Sequence, residues 1–237
     1  MATRPVVFGA AYSVYVRAVR LALHEKGVDY DHVEVDVFGP GGPPAEHLQR
    51  HPFGRIPAFE HDGLRLYESS AIERYIDAAF DGPPLQPPEP RAQARMNQAQ
   101  SMLDSYCYPT LVWEVFAERV RAPVRLGRAP DEARIAAALP RAETCLRALT
   151  DIGRDGPWLA GPTLTLADLH AAPMFIYFRM APEGAAMIAR YPRIATWLDA
   201  MLARPSVAAT RSPLEYPRRQ PAVEPRPNMT ATRSPPE

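Results

Sequence analysis

The sequence predicts a mixed α/β unit followed by an all-helical one. Strand and helix patterns alternate over residues 6–80, five prolines and one glycine crowd into Asp81–Pro90, and beyond them only helical periodicity persists. Val6–Gly9 is a short β-branched and aromatic run, read as a strand. Val16, Val19, Leu21, Ala22 and Leu23 recur at helical spacing as far as Lys26, and Gly27 ends the helix. Tyr30–Val37 alternates apolar with polar, which sets Val33, Val35 and Val37 on one face of a second strand. The Gly39–Pro44 cluster is loop. Ala45–Arg50 reads as a short helix closed by His51-Pro52, because the residue before proline avoids helical dihedrals. Ala58–His61 and Leu64–Tyr67 flank Asp62-Gly63, a strong hairpin signal. Ser70-Ala71-Ile72-Glu73 has the form of a capping box opening a helix to about Phe80.

The proline density of Asp81–Pro90 cannot continue a helix and marks a linker. Helical patterns follow over Arg91–Arg121, Asp131–Gly153, Thr165–Met180 and Tyr191–Arg204. Thr165-Leu166-Ala167-Asp168 is a second capping box, with Leu164 and Leu169 in staple positions around it. From Arg211 the chain turns polar and proline-rich without apolar periodicity, which predicts a flexible tail. The expected division is therefore 1–82, a linker at 83–90, a helical domain at 91–210 and a tail at 211–237.

Composition narrows the function. Hydrophobic residues make up 46% and charged residues 23%, and 27 basic side chains balance 27 acidic ones. Without a net field, neither nucleic acid nor an anionic membrane is an expected partner. The apolar run near the start is short and broken by Gly9, and no stretch approaches the roughly 20 apolar residues of a spanning helix. Cys107 and Cys145 form no CxxC, so neither a disulfide framework nor a zinc site is indicated, and a reducing cytoplasm is the expected location. His47 and His51 are spaced for chelation but lack a third ligand nearby, so no metal is expected.

Four local patterns occur in a fixed order. They are Gly9-Ala10-Ala11-Tyr12-Ser13-Val14-Tyr15-Val16-Arg17, Pro52-Phe53-Gly54-Arg55-Ile56-Pro57, Glu68-Ser69-Ser70-Ala71-Ile72, and Leu159-Ala160-Gly161-Pro162-Thr163-Leu164-Thr165-Leu166-Ala167-Asp168. Together they resemble the cytosolic glutathione transferase family, in its serine-type classes, phi-like or general bacterial, over about residues 4–208. The resemblance implies a thioredoxin-like N-terminal domain, an all-α C-terminal domain, a homodimer, and glutathione as co-substrate with a hydrophobic electrophile. Conjugation, or reduction of an organic hydroperoxide, is the implied activity. The alternative is a non-catalytic binding or regulatory protein on the same fold.

The implied site follows residue by residue. A cis Ile56-Pro57 bond would offer the Ile56 backbone to an extended peptide as an added strand would. Glu68 would pair with the glutathione amine, and Ser69 opens a helix whose amides favour its γ-glutamyl carboxylate. Ser13 would stabilise the glutathione thiolate. Lowering a thiol pKa from about 8.5 by two units takes roughly 2.7 kcal/mol, within reach of one hydroxyl hydrogen bond to the anion plus a helix N-terminus. Tyr12 and Tyr15 are rivals, since a phenol can do the same, and no catalytic hydroxyl at all is a third possibility. The phi pattern places a His-Lys pair where this chain has Gly41-Gly42-Pro43-Pro44, with no base, and Arg55 could replace part of that contact with the glycine carboxylate. Tyr12, Tyr15, Tyr106, Cys107 and Trp113 are candidates for the second-substrate pocket, with core packing the competing reading for Cys107.

Overall fold

A computed structural model describes residues 3–39 and 41–215; the tail expected beyond them, 216–237, lies outside the described residues. The N-terminal domain is built from β1 (Val6–Phe8), α1 (Val14–Glu25), β2 (Asp31–Val33), α2 (Ala45–Arg50), β3 (Ala58–His61), β4 (Leu64–Tyr67) and α3 (Ser69–Ala79). The strands form one sheet in the order β2-β1-β3-β4, with β1 parallel to β2 and antiparallel to β3, which pairs antiparallel with β4. The β3–β4 hairpin turns through Asp62 and Gly63 at φ 47° and 78°, the paired positive dihedrals of a type I′ turn. Helices α1 and α3 pack on each other, joined by the buried side chains of Leu21, Ile72 and Ile76 within the core.

β2 is shorter than its alternating pattern predicts. Only Asp31, His32 and Val33 find partners, because β1 offers three residues to pair with. Val35 and Val37 leave the sheet and pack as partly buried side chains, and Val37 turns to the domain boundary. α3 also departs from expectation at its start. It begins at Ser69 with Glu68 as N-cap, and no side chain caps it. Glu73, the acid of the predicted box, turns inward and is fully buried.

The connector between domains is tied down by charge. Asp77 of α3 accepts from the Leu85 and Gln86 amides at 2.8 and 3.1 Å and from Lys26 Nζ at 3.2 Å. Lys26, the one lysine of the chain, also reaches the Pro83 carbonyl at 3.3 Å. Leu85 is buried and its carbonyl receives the Leu166 amide.

The helical domain comprises α4 (Pro90–Met102), a π-wound continuation over Leu103–Leu126, α5 (Glu132–Ile152), α6 (Leu166–Met180), α7 (Pro182–Ala189), α8 (Pro192–Leu202) and α9 (Pro205–Ala209), then a 3₁₀ turn at Pro213–Glu215. Pro109 and Pro123 lie inside the π-wound stretch and each withholds a backbone donor. α6 is buried on all sides from Leu166 to Phe178 and forms the axis of the domain. The Thr165 box is present. Asp168 Oδ2 accepts from the Thr165 amide at 2.8 Å and hydroxyl at 3.0 Å, while Oδ1 takes the Leu159 amide at 2.8 Å and Trp197 Nε1 at 2.9 Å.

Residues 211–215, read from sequence as the start of the tail, pack against the N-terminal domain. Arg17, almost wholly buried, pairs with Glu215 at 2.5 Å and donates to the Val207 carbonyl at 3.0 Å. Ser212 is buried against the Tyr177 hydroxyl. A polar stretch is ordered here because the buried guanidinium needs a carboxylate.

A second polar bridge crosses the boundary. His170 of α6 meets Glu73 of α3 at 2.9 Å through Nδ1 and Asp104 at 2.8 Å through Nε2, and Gln100 Nε2 donates to Glu73 at 2.8 Å. Burial by itself would lower the imidazole pKa, but the two carboxylates push it up to about 10. His170 is thus held as a cation between two acids.

Candidate active site

The loop from β1 to α1 runs close under the helix. Gly9 has φ 151°, and a Cβ there would stand 2.4 Å from a Val16 methyl, so glycine alone allows the approach. The loop delivers Ser13 as N-cap of α1, its Oγ accepting from the Val16 amide at 3.4 Å. That bond uses a lone pair and leaves the hydroxyl proton without an acceptor among the described residues. Ser13 lines a cavity of about 450 Å³ at the boundary between the domains.

Each of the two neighbouring phenols lies in the field of a carboxylate. Tyr12 Oη donates to Asp36 Oδ1 at 2.7 Å, and burial with that carboxylate holds its pKa well above the ordinary phenol. Tyr15 is raised further, by burial first and then by the charge of the Asp104 carboxylate. Its ring lies 4.5 Å from that of Tyr108 and 5.5 Å from that of His170. Both tyrosines line the cavity, as does Trp113.

The Ile56-Pro57 bond is cis, as the sequence led us to expect. Arg55 and Ile56 line the same cavity as Ser13, Arg55 exposed and Ile56 buried, while His47 Nε2 meets the Arg55 carbonyl at 2.7 Å. Pro57, Glu68 and Ser69 stand outside the cavity lining. Glu68 is an exposed N-cap held at φ 69°, a conformation that non-glycine residues seldom adopt, and Ser69 is buried behind it.

Tyr106 and Cys107 do not belong to this pocket. Tyr106 is 64% exposed and lines a separate cleft of about 490 Å³ with Pro109, Thr144 and Cys145. Cys107 is buried in the core, the competing reading of the sequence. Successive residues of a helix face different sides, so neighbours in sequence need not share a pocket. The residues missed along the π-wound stretch are Tyr108, Val112, Phe116, Ala117 and Arg121, which with Trp113 line the cavity as one helix face. The four-residue steps from Tyr108 to Val112 to Phe116 are visible in sequence, but helical spacing does not tell a pocket face from a core face. Phe38, Tyr177 and Leu214 complete the wall from three other segments. Tyr177 Oη donates to the Tyr12 carbonyl at 2.6 Å and its ring stacks on Phe116 with centroids 4.4 Å apart.

A thioredoxin-like sheet whose first helix and cis-proline loop face an apolar cavity, walled by an all-helical domain, is the architecture of a glutathione-binding transferase. Comparison with known proteins gives the family. Residues 7–84 match the model of the glutathione S-transferase N-terminal domain, and residues 132–200 that of the C-terminal domain. The chain is 30% identical over 204 residues to a probable glutathione S-transferase GSTF1 of Oryza sativa subsp. japonica, covering 85% of this chain and 92% of that one. It is 32% identical over 212 residues to glutathione S-transferase 4 of Zea mays, covering 87% and 92%. Among solved structures, glutathione S-transferase III in apo form superposes with a TM-score of 0.80 at 29% identity, covering 91% of this chain and 99% of that one. Glutathione S-transferase-I bound with lactoylglutathione superposes at 0.76 with 25% identity, covering 88% and 98%. The chain belongs to the glutathione S-transferase family. No helix among the described residues is long and apolar enough to cross a membrane.

Proposed function

We propose that this transferase joins glutathione to electrophiles, with Ser13 holding the glutathione sulfur as a thiolate. The carrying observation is that Ser13 presents an uncommitted hydroxyl proton at the cavity, while Tyr12 donates its proton to Asp36 and burial beside the Asp104 charge holds the Tyr15 pKa up. The N-terminus of α1 adds its dipole to the same point. Glutathione lies along the Arg55-Ile56-Pro57 loop, Arg55 meets its glycine carboxylate, and Glu68 and Ser69 take the γ-glutamyl end. The positive φ of Glu68 supports that role, since an outlier at a helix start is held for a purpose. The electrophile occupies the aromatic side of the cavity. Two free, buried cysteines suit a reducing cytoplasm.

Ser13→Ala is the test. Glutathione affinity should stay within a few-fold, while the pH–rate profile should move up by about one to two units as the bound thiol loses its donor. Tyr12→Phe and Tyr15→Phe should leave the profile in place. A profile that ignores the serine and follows a tyrosine overturns the assignment. Glutathione failing to bind at all would turn the reading toward a non-catalytic binding protein.

The protein acts as a homodimer in this reading. Phe53 is 71% exposed beside the site loop, on the N-terminal domain, and the cleft at Tyr106 and Pro109 lies on the helical domain. Two copies related by a two-fold axis bury each Phe53 in the other's cleft. Light scattering should give twice the 26.3 kDa chain mass, and Phe53→Ser should shift it toward the monomer. A monomeric native protein would refute the pairing.

A further inference from the structure

The cavity wall holds one arginine whose surroundings the thiol chemistry does not require. Arg121 is ringed by aromatic faces: its guanidinium carbon stands 5.1 Å from the Phe38 centroid, 5.6 Å from Trp113 and 5.9 Å from Tyr12. Each such contact is favourable for a cation but satisfies none of its five N–H donors. Among the described residues Arg121 has no ion pair and no hydrogen-bonded acceptor. The acid whose charge it faces, Asp36, is already engaged by the Tyr12 hydroxyl and the Phe38 amide. Glu34, on the same segment, accepts from the Ala11 amide. The cavity lining contains two guanidinium groups, Arg55 and Arg121, and no carboxylate. A planar fork with open donors, set among flat aromatic rings, matches an aryl group bearing a carboxylate. A volume of about 450 Å³ accommodates a ligand of that size.

We propose that Arg121 is a carboxylate receptor, and that the preferred second substrate is an aromatic electrophile carrying a carboxylate. This rests on the transferase reading above for the reaction, though not for the binding. Two molecules can bring a carboxylate to this spot, the electrophile or the glycine end of glutathione; the three rings favour the aryl acid.

The test is calorimetric, on the full chain, with arms for the two sources. In the first, 3,5-dinitrobenzoate is compared with its methyl ester in the presence of S-methylglutathione, which cannot react. The preference for the acid over the ester should fall roughly ten- to hundredfold in Arg121→Gln and return only in part in Arg121→Lys, which restores the charge but not the planar fork. In the second, glutathione is compared with its glycine ethyl ester, and that ratio should move much less. A change confined to the second arm overturns the substrate assignment and gives Arg121 to glutathione. No change in either arm overturns the receptor itself. A wild-type protein that prefers the acid yet neither binds glutathione nor turns over 4-chloro-3,5-dinitrobenzoate keeps Arg121 as a carboxylate receptor and sinks the transferase reading together with the substrate assignment.

Discussion

Helices α3 and α6 carry the same pattern near their starts, a hydroxyl residue followed three positions later by an acid: Ser70–Glu73 and Thr165–Asp168. In α6 the acid folds back on its own helix start and gathers four donors, from Thr165, Leu159 and Trp197. In α3 the acid ignores its helix start and reaches across the domain boundary to His170 and Gln100. Both carboxylates are completely buried. The difference lies in what each finds within reach. Asp168 is short and sits beside an orphan amide, whereas Glu73 is one methylene longer and faces a cation. A buried carboxylate goes to the strongest donor set available, and a local motif wins only where no tertiary partner competes.

Removing Asp168 is the most severe way to probe this contrast. Asp168→Ala strands four donors in a dry site and should cost at least about 4 kcal/mol, a Tm loss on the order of ten degrees. An unchanged Tm would break the comparison at its firmer end.

The α3 acid should show its partner through pH. His170 titrates near 10 in the fold against about 6.5 unfolded, so the folded state binds the extra proton. Its contribution is complete below about pH 6.5 and disappears as pH rises through about 10. Glu73→Gln should cost roughly 3 kcal/mol at pH 6 and flatten the decline of Tm between pH 7 and 10. A wild-type Tm that is level across that range would show that the imidazole is not held as a cation.

Ser70→Ala is the smallest effect and the sharpest contrast with Asp168. Because the Ser70 side chain caps nothing, the change should stay within about 0.5 kcal/mol in denaturant unfolding. A cost near 1 kcal/mol would mean that the serine caps the helix after all.

The same competition explains which parts of the molecule were legible beforehand. The order of elements, the Asp62-Gly63 hairpin, the proline linker and the Ser13 loop follow from chemistry within a few residues. The Ile56-Pro57 bond belongs with them once its flanking motif is seen. β2 was overextended because alternation at Val35 and Val37 describes side-chain spacing, while a strand also needs a partner of equal length. Tyr106 and Cys107 face away from the cavity because neighbours along a helix point to different sides, which leaves Cys107 with its core-packing alternative. Arg121 escaped notice for a different reason. Its significance depends on Phe38 and Tyr12, more than eighty positions away in the chain.

By itself the sequence determined the α/β and all-α halves, the glycine and proline turns, the serine at a helix start and the Thr165 box, since each depends on dihedral limits or a bond to a near neighbour. Only the tertiary structure decided where charge settles. It placed His170 between Glu73 and Asp104, Glu215 on Arg17, the Tyr12 proton on Asp36, and Arg121 among three rings. Burial makes those pairings compulsory, because a charge or donor removed from water must find a partner, and which one it finds depends on which distant segments the fold brings within a few ångströms.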